Sequence, residues 1–496
     1  MTLPEGTHDP TTLTNQAPEA IPKHRWRALL VRLHFYAGVL VGPFLVIAAL
    51  TGALYAMAPT VERVVYRDLL FVEPGDRVLP LDDQVAAARR SYPALTVTGV
   101  RPPAAENESV RVYFADPALA PDLGRAVFVD PYTGRVLGDE VTWLGYLPVS
   151  TWLDGLHRHL NLGEPGRLYS ELAASWLWVV ASGGLYLWLV NAAGDRRRGR
   201  KPRILTVDRT AGGRSRNLNW HGATGVWLLG GLLFLSATGI TWSTYAGAHV
   251  SDLRAAFEWQ RPQLDTATHG DHGDHAPAAG HTAGPQSVDF DGVLAAATTA
   301  GVDLPVEILL PAEHGAAVTV SEIDKPYRWT TDAAAVNPGD LTVTGTVDYW
   351  RDYSLIAKLA DWGIRGHMGF LFGLLNQLLL LGIAVGLLAV IVRGYRMWWQ
   401  RRPTRGSRWA VGRPPARGGL RRLRPLTVTA LVAGAVTVGW FLPLLGLTLA
   451  AFALTDLILG SIKKNASLKK NASLKKNASL KKNASLNENT ENSHVR

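Results

Sequence analysis

Fourteen histidines and no cysteine bound the metal chemistry open to this 496-residue chain. Four of the histidines recur in a pattern. One segment reads Leu33-His34-Phe35-Tyr36-Ala37-Gly38, with Thr51-Gly52 after it. Another reads Trp220-His221-Gly222-Ala223-Thr224-Gly225, with Thr238-Gly239 after it, and every match is shifted by 187 residues. A second pair is as regular at a shift of 210: His157 precedes Gly163, Gly184 and Trp188 as His367 precedes Gly373, Gly394 and Trp398. Neutral imidazole ligates iron, copper and zinc. Two histidines make a poor closed zinc site, which wants four ligands. They suffice as the axial pair of a haem, whose porphyrin supplies the other four nitrogens. With no cysteine such a haem is non-covalent and b-type, and disulfides, iron–sulfur clusters and thiol nucleophiles are excluded as well. The glycine four residues beyond His34 and His221 falls one turn along the same helix face. It leaves room for something flat and large, or for a close neighbouring helix. His159 has no counterpart, since the position shifted by 210 is Gly369, so His157 is preferred and His159 is the second choice. Pore lining and packing are the other roles open to such histidines.

Histidine pairs of this kind need rigid elements to carry them. Apolar residues at 47% against 19% charged, with 17 Trp and 49 Gly, exclude a disordered chain and a coiled coil. Apolar stretches long enough to span a bilayer occupy 33–57, 169–191, 221–244 and 368–392. The block 426–460 is too long for one span and carries Pro443 near its middle, which reads as a hairpin of two short spans. The expected fold is therefore a mainly α membrane protein: a four-helix transmembrane core plus a C-terminal two-span hairpin. Charge orients it. The 192–219 loop holds nine Arg/Lys and two Asp, and 393–425 holds eleven Arg and no acid. The long loops are reversed, with eleven basic and fifteen acidic residues in 59–168 and seven against seventeen in 246–366. By the positive-inside rule 192–220 and 393–425 are cytoplasmic, as are the N-terminal segment 1–32, which precedes a first span read as a retained anchor, and the tail 461–496. The net charge of +10 then reflects topology and contact with an anionic lipid bilayer, and nucleic acid is not expected as a partner.

The extracytoplasmic stretches 58–168 and 245–367 each read as a small α+β module. In the first, Leu81, Val85 and Ala88 keep helical spacing, and strands follow at 95–100, 110–114 and 126–129. Asp130-Pro131-Tyr132-Thr133-Gly134 then makes a turn into a further strand. In the second, a helix near 288–300 precedes strands near 304–310, 316–321 and 327–331, with Ala335-Val336-Asn337-Pro338-Gly339-Asp340 as the turn. The linker before it holds His269, His272, His275 and His281 among aspartates, a density that suits copper, zinc, nickel or iron without fixing a geometry. The tail repeats Lys-Lys-Asn-Ala-Ser-Leu four times and reads as a low-complexity segment drawn to lipid.

Several of these motifs together resemble the PepSY-associated transmembrane proteins, an iron-regulated family of the bacterial inner membrane that includes siderophore reductases. The resemblance rests on Leu33-His34 with Gly38, on Thr51-Gly52, and on Trp220-His221 with Gly225. It rests also on Leu156-His157-Arg158 with Leu160, Leu162, Gly163 and Gly166-Arg167, and on the Asp130–Gly134 turn. It covers roughly 24–402 and leaves the hairpin and tail aside. Arg365-Gly366-His367 departs from it, because leucine is expected before the histidine. The resemblance implies four helices holding two b-type haems beneath PepSY-like modules. His34 and His221 would serve the inner haem, and His157 and His367 the outer one. The implied function is reduction of an extracytoplasmic ferric siderophore, with electrons from a quinol or a cytoplasmic donor. The alternatives are a cupric reductase and a non-redox PepSY membrane protein, either a metal permease or a peptidase regulator. A permease usually needs ionisable residues along the spans, and these spans are almost free of charge. No Gly-x-Gly-x-x-Gly motif, P-loop or hydrolytic constellation stands out.

Overall fold

Pro43 divides the first apolar stretch. In the computed structural model, which describes residues 25–266, 288–311, 315–401, 415, 424–459, 461, 462 and 473, this stretch is two helices, α1 (Arg25–Leu40) and α2 (Gly42–Ala56). The pair is bent by 56° at the break, as follows from a proline ring that has no N–H and crowds the carbonyl four residues back. The expected single span over 33–57 is thus a broken one. Short helices α3 (Ala58–Val65) and α4 (Arg67–Leu70) lead into α5 (Leu81–Ser91) and strands β1 (Thr96–Arg101), β2 (Val110–Ala115), β3 (Leu123–Val129) and β4 (Val136–Trp143). Then α6 (Pro148–His159) turns into the long α7 (Glu164–Arg197), and α8 (Gly213–Thr241) returns to α9 (Tyr245–Ala256). The second unit comprises α10 (Phe290–Thr299), β5 (Val306–Leu309), β6 (Val318–Glu322), β7 (Ala333–Val336), β8 (Val343–Val347) and α11 (Tyr349–Asp352). Last come α12 (Leu355–His367), α13 (Gly373–Trp399), α14 (Pro425–Phe441) and α15 (Pro443–Leu459).

Helices α7, α8 and α13 are long and apolar enough to cross a membrane, and α1 with α2 make a fourth span if the bent pair counts as one. The chain is a multi-pass membrane protein. Helices α14 and α15 have 17 residues each, somewhat short of the ~20 that a bilayer requires. They fold back at Leu442–Pro443, where Gly439 and Gly446 face each other so closely that a Cβ on Gly439 would lie 2.8 Å from the Cα of Gly446. The histidine-rich linker with His269, His272, His275 and His281, the N-terminal 24 residues, most of the second basic loop and the repeat tail lie outside the described residues.

The two α+β units do not stand apart as two modules. Their strands form one eight-stranded antiparallel sheet in the order β4-β3-β2-β1-β5-β6-β7-β8. The seam pairs Gly99 with Leu309 and Val100 with Ile308. Gly99 is required there, because a Cβ would sit 2.7 Å from the Ile308 carbonyl oxygen. One core runs under both halves, with Val85 and Ala88 of α5 beside Val293 and Ala297 of α10 on the sheet face formed by Val100, Val112, Ile308 and Val320. The two helices cap each other. Asp291 accepts from the backbone N–H groups of Leu81 (3.0 Å) and Asp82 (3.1 Å), and Asp82 accepts from that of Phe290 (2.9 Å).

The stretch 327–331, expected as a strand, is a loop, and the strand lies at Ala333–Val336. Tyr327 has φ of 65°, outside strand geometry, and the Arg328 guanidinium fills its hydrogen bonds with the carbonyls of Asp303, Pro305 and Ile323. The small alanines of β7 are wholly enclosed between neighbours, so packing outweighs their poor strand propensity. The Asp130 turn forms as expected. Its carboxylate accepts from the N–H of Tyr132 (2.9 Å) and the hydroxyl of Thr133 (2.7 Å), and Gly134 takes φ of 68°.

Candidate functional site

Helices α1 and α8, and the short helices α6 and α12, bring the four histidines together as two pairs. His34 and His221 face each other with ring centroids 6.1 Å apart at an interplanar angle of 82°. His157 and His367 do so at 6.4 Å and 47°. One metal ion held between two imidazole nitrogens at ~2 Å from each sets the ring centroids roughly 6 Å apart. Both separations fit.

Hydrogen bonds select the nitrogen each ring can offer. His34 Nδ1 lies 3.1 Å from the Val180 carbonyl oxygen on α7, and His221 Nδ1 lies 2.9 Å from that of Val390 on α13. A carbonyl only accepts, so Nδ1 carries the proton and Nε2 keeps its lone pair for a ligand. In the sheet-side pair the acceptors are hydroxyls. Thr51 Oγ1 donates to the Ile47 carbonyl at 2.9 Å and so faces His157 Nδ1, 3.0 Å away, with a lone pair. Thr238 Oγ1 likewise donates to Phe234 at 2.7 Å and accepts from His367 Nδ1 at 2.5 Å. All four rings therefore present Nε2. Burial lowers the pKa of His157 to about 4 and of His367 to about 3, the latter aided by the neighbouring His157, so both are neutral imidazoles at physiological pH.

Glycines make room for the rings. A Cβ on Gly184 would lie 3.0 Å from His34 Cε1, on Gly52 2.9 Å from His157 Cε1, and on Gly394 3.6 Å from His221 Cε1. The His34 and His221 rings thus each rest on a glycine one turn beyond the carbonyl that orients the ring: Val180 with Gly184, Val390 with Gly394. Gly38 and Gly225 differ, since a Cβ on either would meet nothing within 4 Å. No neighbouring helix presses on them, and the space beside the histidines is open, as a flat macrocycle needs. The donor set and the separations fit a haem at each pair, and beside His34 and His221 the open space at Gly38 and Gly225 fits one too.

His34 and His221 lie nine and eight residues inside α1 and α8, not at the helix starts that the hydropathy boundary suggests. The polar residues before them continue the helix. His157 and His367 end separate helices, α6 and α12, packed under the sheet. His159 joins neither pair and its Nδ1 is buried without a partner. Its backbone carbonyl packs against Gly166, where any Cβ would overlap it. At the corresponding place in the second half, Gly369 adopts φ of 88°, a conformation that disfavours a histidine.

Sequence reading missed three features. The role of Thr51 and Thr238 was visible only as a repeated Thr-Gly pair. Glu171, inside α7 and 1% exposed, accepts from the N–H groups of Tyr245 (2.9 Å) and Ala246 (3.0 Å) and so caps α9. His249 stacks on Trp440 at 4.9 Å with its Nδ1 3.0 Å from the Phe441 carbonyl, which ties α9 to the end of α14.

A cleft of about 550 Å³ opens beside α12, lined by Asp303, Lys325, Tyr327, Arg328, Trp329 and Trp350 among others. Arg365, two residues before His367, is 5% exposed and anchors this loop: it pairs with Asp324 (3.2 Å) and Asp361 (3.1 Å) and bonds the carbonyl of Arg328. The residue that stands where leucine was expected is Gly366, whose added Cβ would lie 3.3 Å from Phe234 Cζ, and His367 faces His157 all the same.

Comparison with known proteins follows the same outline. A search of curated proteins finds no match to the chain. Residues 31–401, well over half the sequence and including all four paired histidines, match the PepSY-associated TM region, and the chain belongs to that family.

Proposed function

We propose that the protein is a transmembrane di-haem b reductase that delivers electrons to a ferric siderophore outside the cytoplasmic membrane. The observation that carries this reading is the pair of histidine sites, each with Nδ1 committed to an oxygen of a neighbouring helix and a ring separation suited to one metal ion. His34 with His221 would hold one haem and His157 with His367 the other. Bound haem supplies a one-electron ferric/ferrous couple at each end of the bundle.

The protein's own residues do the rest. The carbonyls of Val180 and Val390 and the hydroxyls of Thr51 and Thr238 keep the imidazoles in one tautomer and one orientation, which raises their basicity as ligands. The Arg/Lys excess of the loops 192–220 and 393–425 supports a cytoplasmic His34–His221 end and a sheet on the opposite side. The cleft beside α12, with Lys325 and two exposed tryptophans, is suited to an aromatic, anionic chelate. Hard oxygen ligands hold ferric iron far better than ferrous iron. Gain of one electron by the bound ferric ion therefore frees the metal while the chelator stays intact.

The test is spectroscopic. Purified protein is expected to show a haem Soret band. Stoichiometric dithionite should reduce it, and a ferric siderophore should reoxidise it while a chromogenic chelator traps ferrous iron. Absence of the Soret band rules the reading out. Reoxidation by a cupric chelate alone would make the substrate copper. Reporter fusions at residues 110, 205, 310 and 410 should read out, in, out, in.

A further inference from the structure

An arginine stands beside the His34–His221 pair with no carboxylate opposite it. Arg393 lies on α13 between the two residues that seat His221: the Val390 carbonyl accepts from His221 Nδ1, and Gly394 leaves room for the ring. The guanidinium carbon is 5.2 Å from the ring centroid of Trp220, the residue before His221. Arg393 Nη1 donates to the Ala389 carbonyl at 3.1 Å, one turn back along its own helix. An arginine at the end of a membrane helix ordinarily extends its head group to the interface. Arg393 instead turns back toward His221 and is only partly exposed. Among the described residues it forms no ion pair, although a guanidinium has five N–H donors to place. The repeat does not call for this charge either. The position shifted by 210 is Gly183, where a Cβ would meet nothing within 4 Å, so the helices pack at the equivalent place without a side chain.

We propose that Arg393 binds a propionate carboxylate of the haem held by His34 and His221, and so fixes which edge of the macrocycle faces the basic loops. The proposal rests on the di-haem reading. A haem carries both of its carboxylates on one edge and apolar substituents on the others. A planar guanidinium meets a carboxylate with two parallel hydrogen bonds, and a carboxylate withdrawn from water needs such a partner. The opposite side of the pair suits the apolar edge. Gly38 and Gly225 stand one turn further from the basic loops, beside open space, and α1 beyond His34 and α8 beyond His221 carry no charged residue. The sheet-side pair differs, because Arg158 next to His157 is already matched with Asp154 at 3.4 Å. The assignment is therefore for one haem alone.

The experiment uses the full chain carrying His157→Ala, so that only the His34–His221 pair takes up haem. The apoprotein in lipid nanodiscs is titrated with protohaem and with its dimethyl ester, in which both carboxylates are capped, and the Soret band reads binding. Protohaem is expected to bind about tenfold more tightly than the ester, as one hydrogen-bonded charge pair would give. Arg393→Gln should erase that preference by weakening protohaem and sparing the ester, and Arg393→Lys should keep part of it. Equal binding of the two compounds with Arg393 in place overturns the proposal. So does a preference that survives Arg393→Gln, the result expected if the guanidinium serves a lipid phosphate. A loss shared equally by both compounds overturns it as well, since that marks a merely structural arginine. If Arg393→Gln fails to fold, Arg393→Lys carries the test, with a reduced preference expected and an undiminished one decisive against. Failure of the di-haem reading shows separately, as no Soret band with either compound.

Discussion

The Tyr395 hydroxyl donates to the Val39 carbonyl at 2.8 Å, and Val39 is the residue whose helical partner would have been Pro43. Proline has no N–H to give it. A side chain from α13 therefore satisfies the carbonyl exposed by the break between α1 and α2. Gly42 accommodates the contact, since a Cβ there would lie 2.9 Å from the hydroxyl. Tyr395→Phe should lower stability by about 1 kcal/mol, read as a lower midpoint in thermal unfolding in detergent. An unchanged midpoint would mean that water or lipid serves the carbonyl equally well.

Each histidine pair should load independently. His34→Ala or His221→Ala is expected to remove about half the haem, and His157→Ala or His367→Ala the other half, while His159→Ala spares both. Pyridine haemochrome content per protein is the measurement. Full haem in any of the four pair variants removes that histidine from the ligand set.

The threonines offer a finer test. Thr51→Val keeps the shape and deletes the acceptor for His157 Nδ1. Outer partners of a ligating imidazole typically contribute about 10–100-fold in metal affinity. Haem titration of the apoprotein should show that loss at the sheet-side pair and none at the His34–His221 pair.

Glu62 links stability to pH. It accepts from the N–H of Ser150 at 2.8 Å, at the start of α6. Burial raises its pKa above the ordinary 4.5, against the lowering effect of that hydrogen bond. The folded chain therefore holds this proton to higher pH than the unfolded chain. The stabilisation is complete below 4.5 and is lost as pH rises through the folded value. Glu62→Gln removes the titration, so wild type should lose stability relative to the variant as pH rises from 4 to 8 in chemical denaturation. Parallel profiles would place Glu62 in contact with water.

Gly99→Val tests the seam. Its side chain would press on the Ile308 carbonyl oxygen, and overpacking of this sort costs about 1–3 kcal/mol. Hydrogen exchange should rise along β1 and β5 before it rises at β4 or β8.

Composition and spacing alone made the membrane class, the helical core and both histidine pairs legible. The physical reason is that each signal is local or periodic. Apolar runs report the thickness of the bilayer, Asp130 and Gly134 report a turn, and an offset between repeats survives without any contact being known. The partners of those histidines were not legible. Val180 and Val390 act through backbone carbonyls, which have the same chemistry at every residue, so only helix packing decides which carbonyl meets a ring. The joining of the two α+β units through Gly99 and Ile308 was hidden for a related reason, because each half reads as a complete unit and strand pairing depends on two edges meeting. The strand at Ala333–Val336 was missed since burial, not propensity, makes alanine extended there. The ion pair of Arg32 on α1 with Asp456 on α15 lay furthest from sequence: 424 residues separate the two, and only the return of α15 onto α1 brings the charges together.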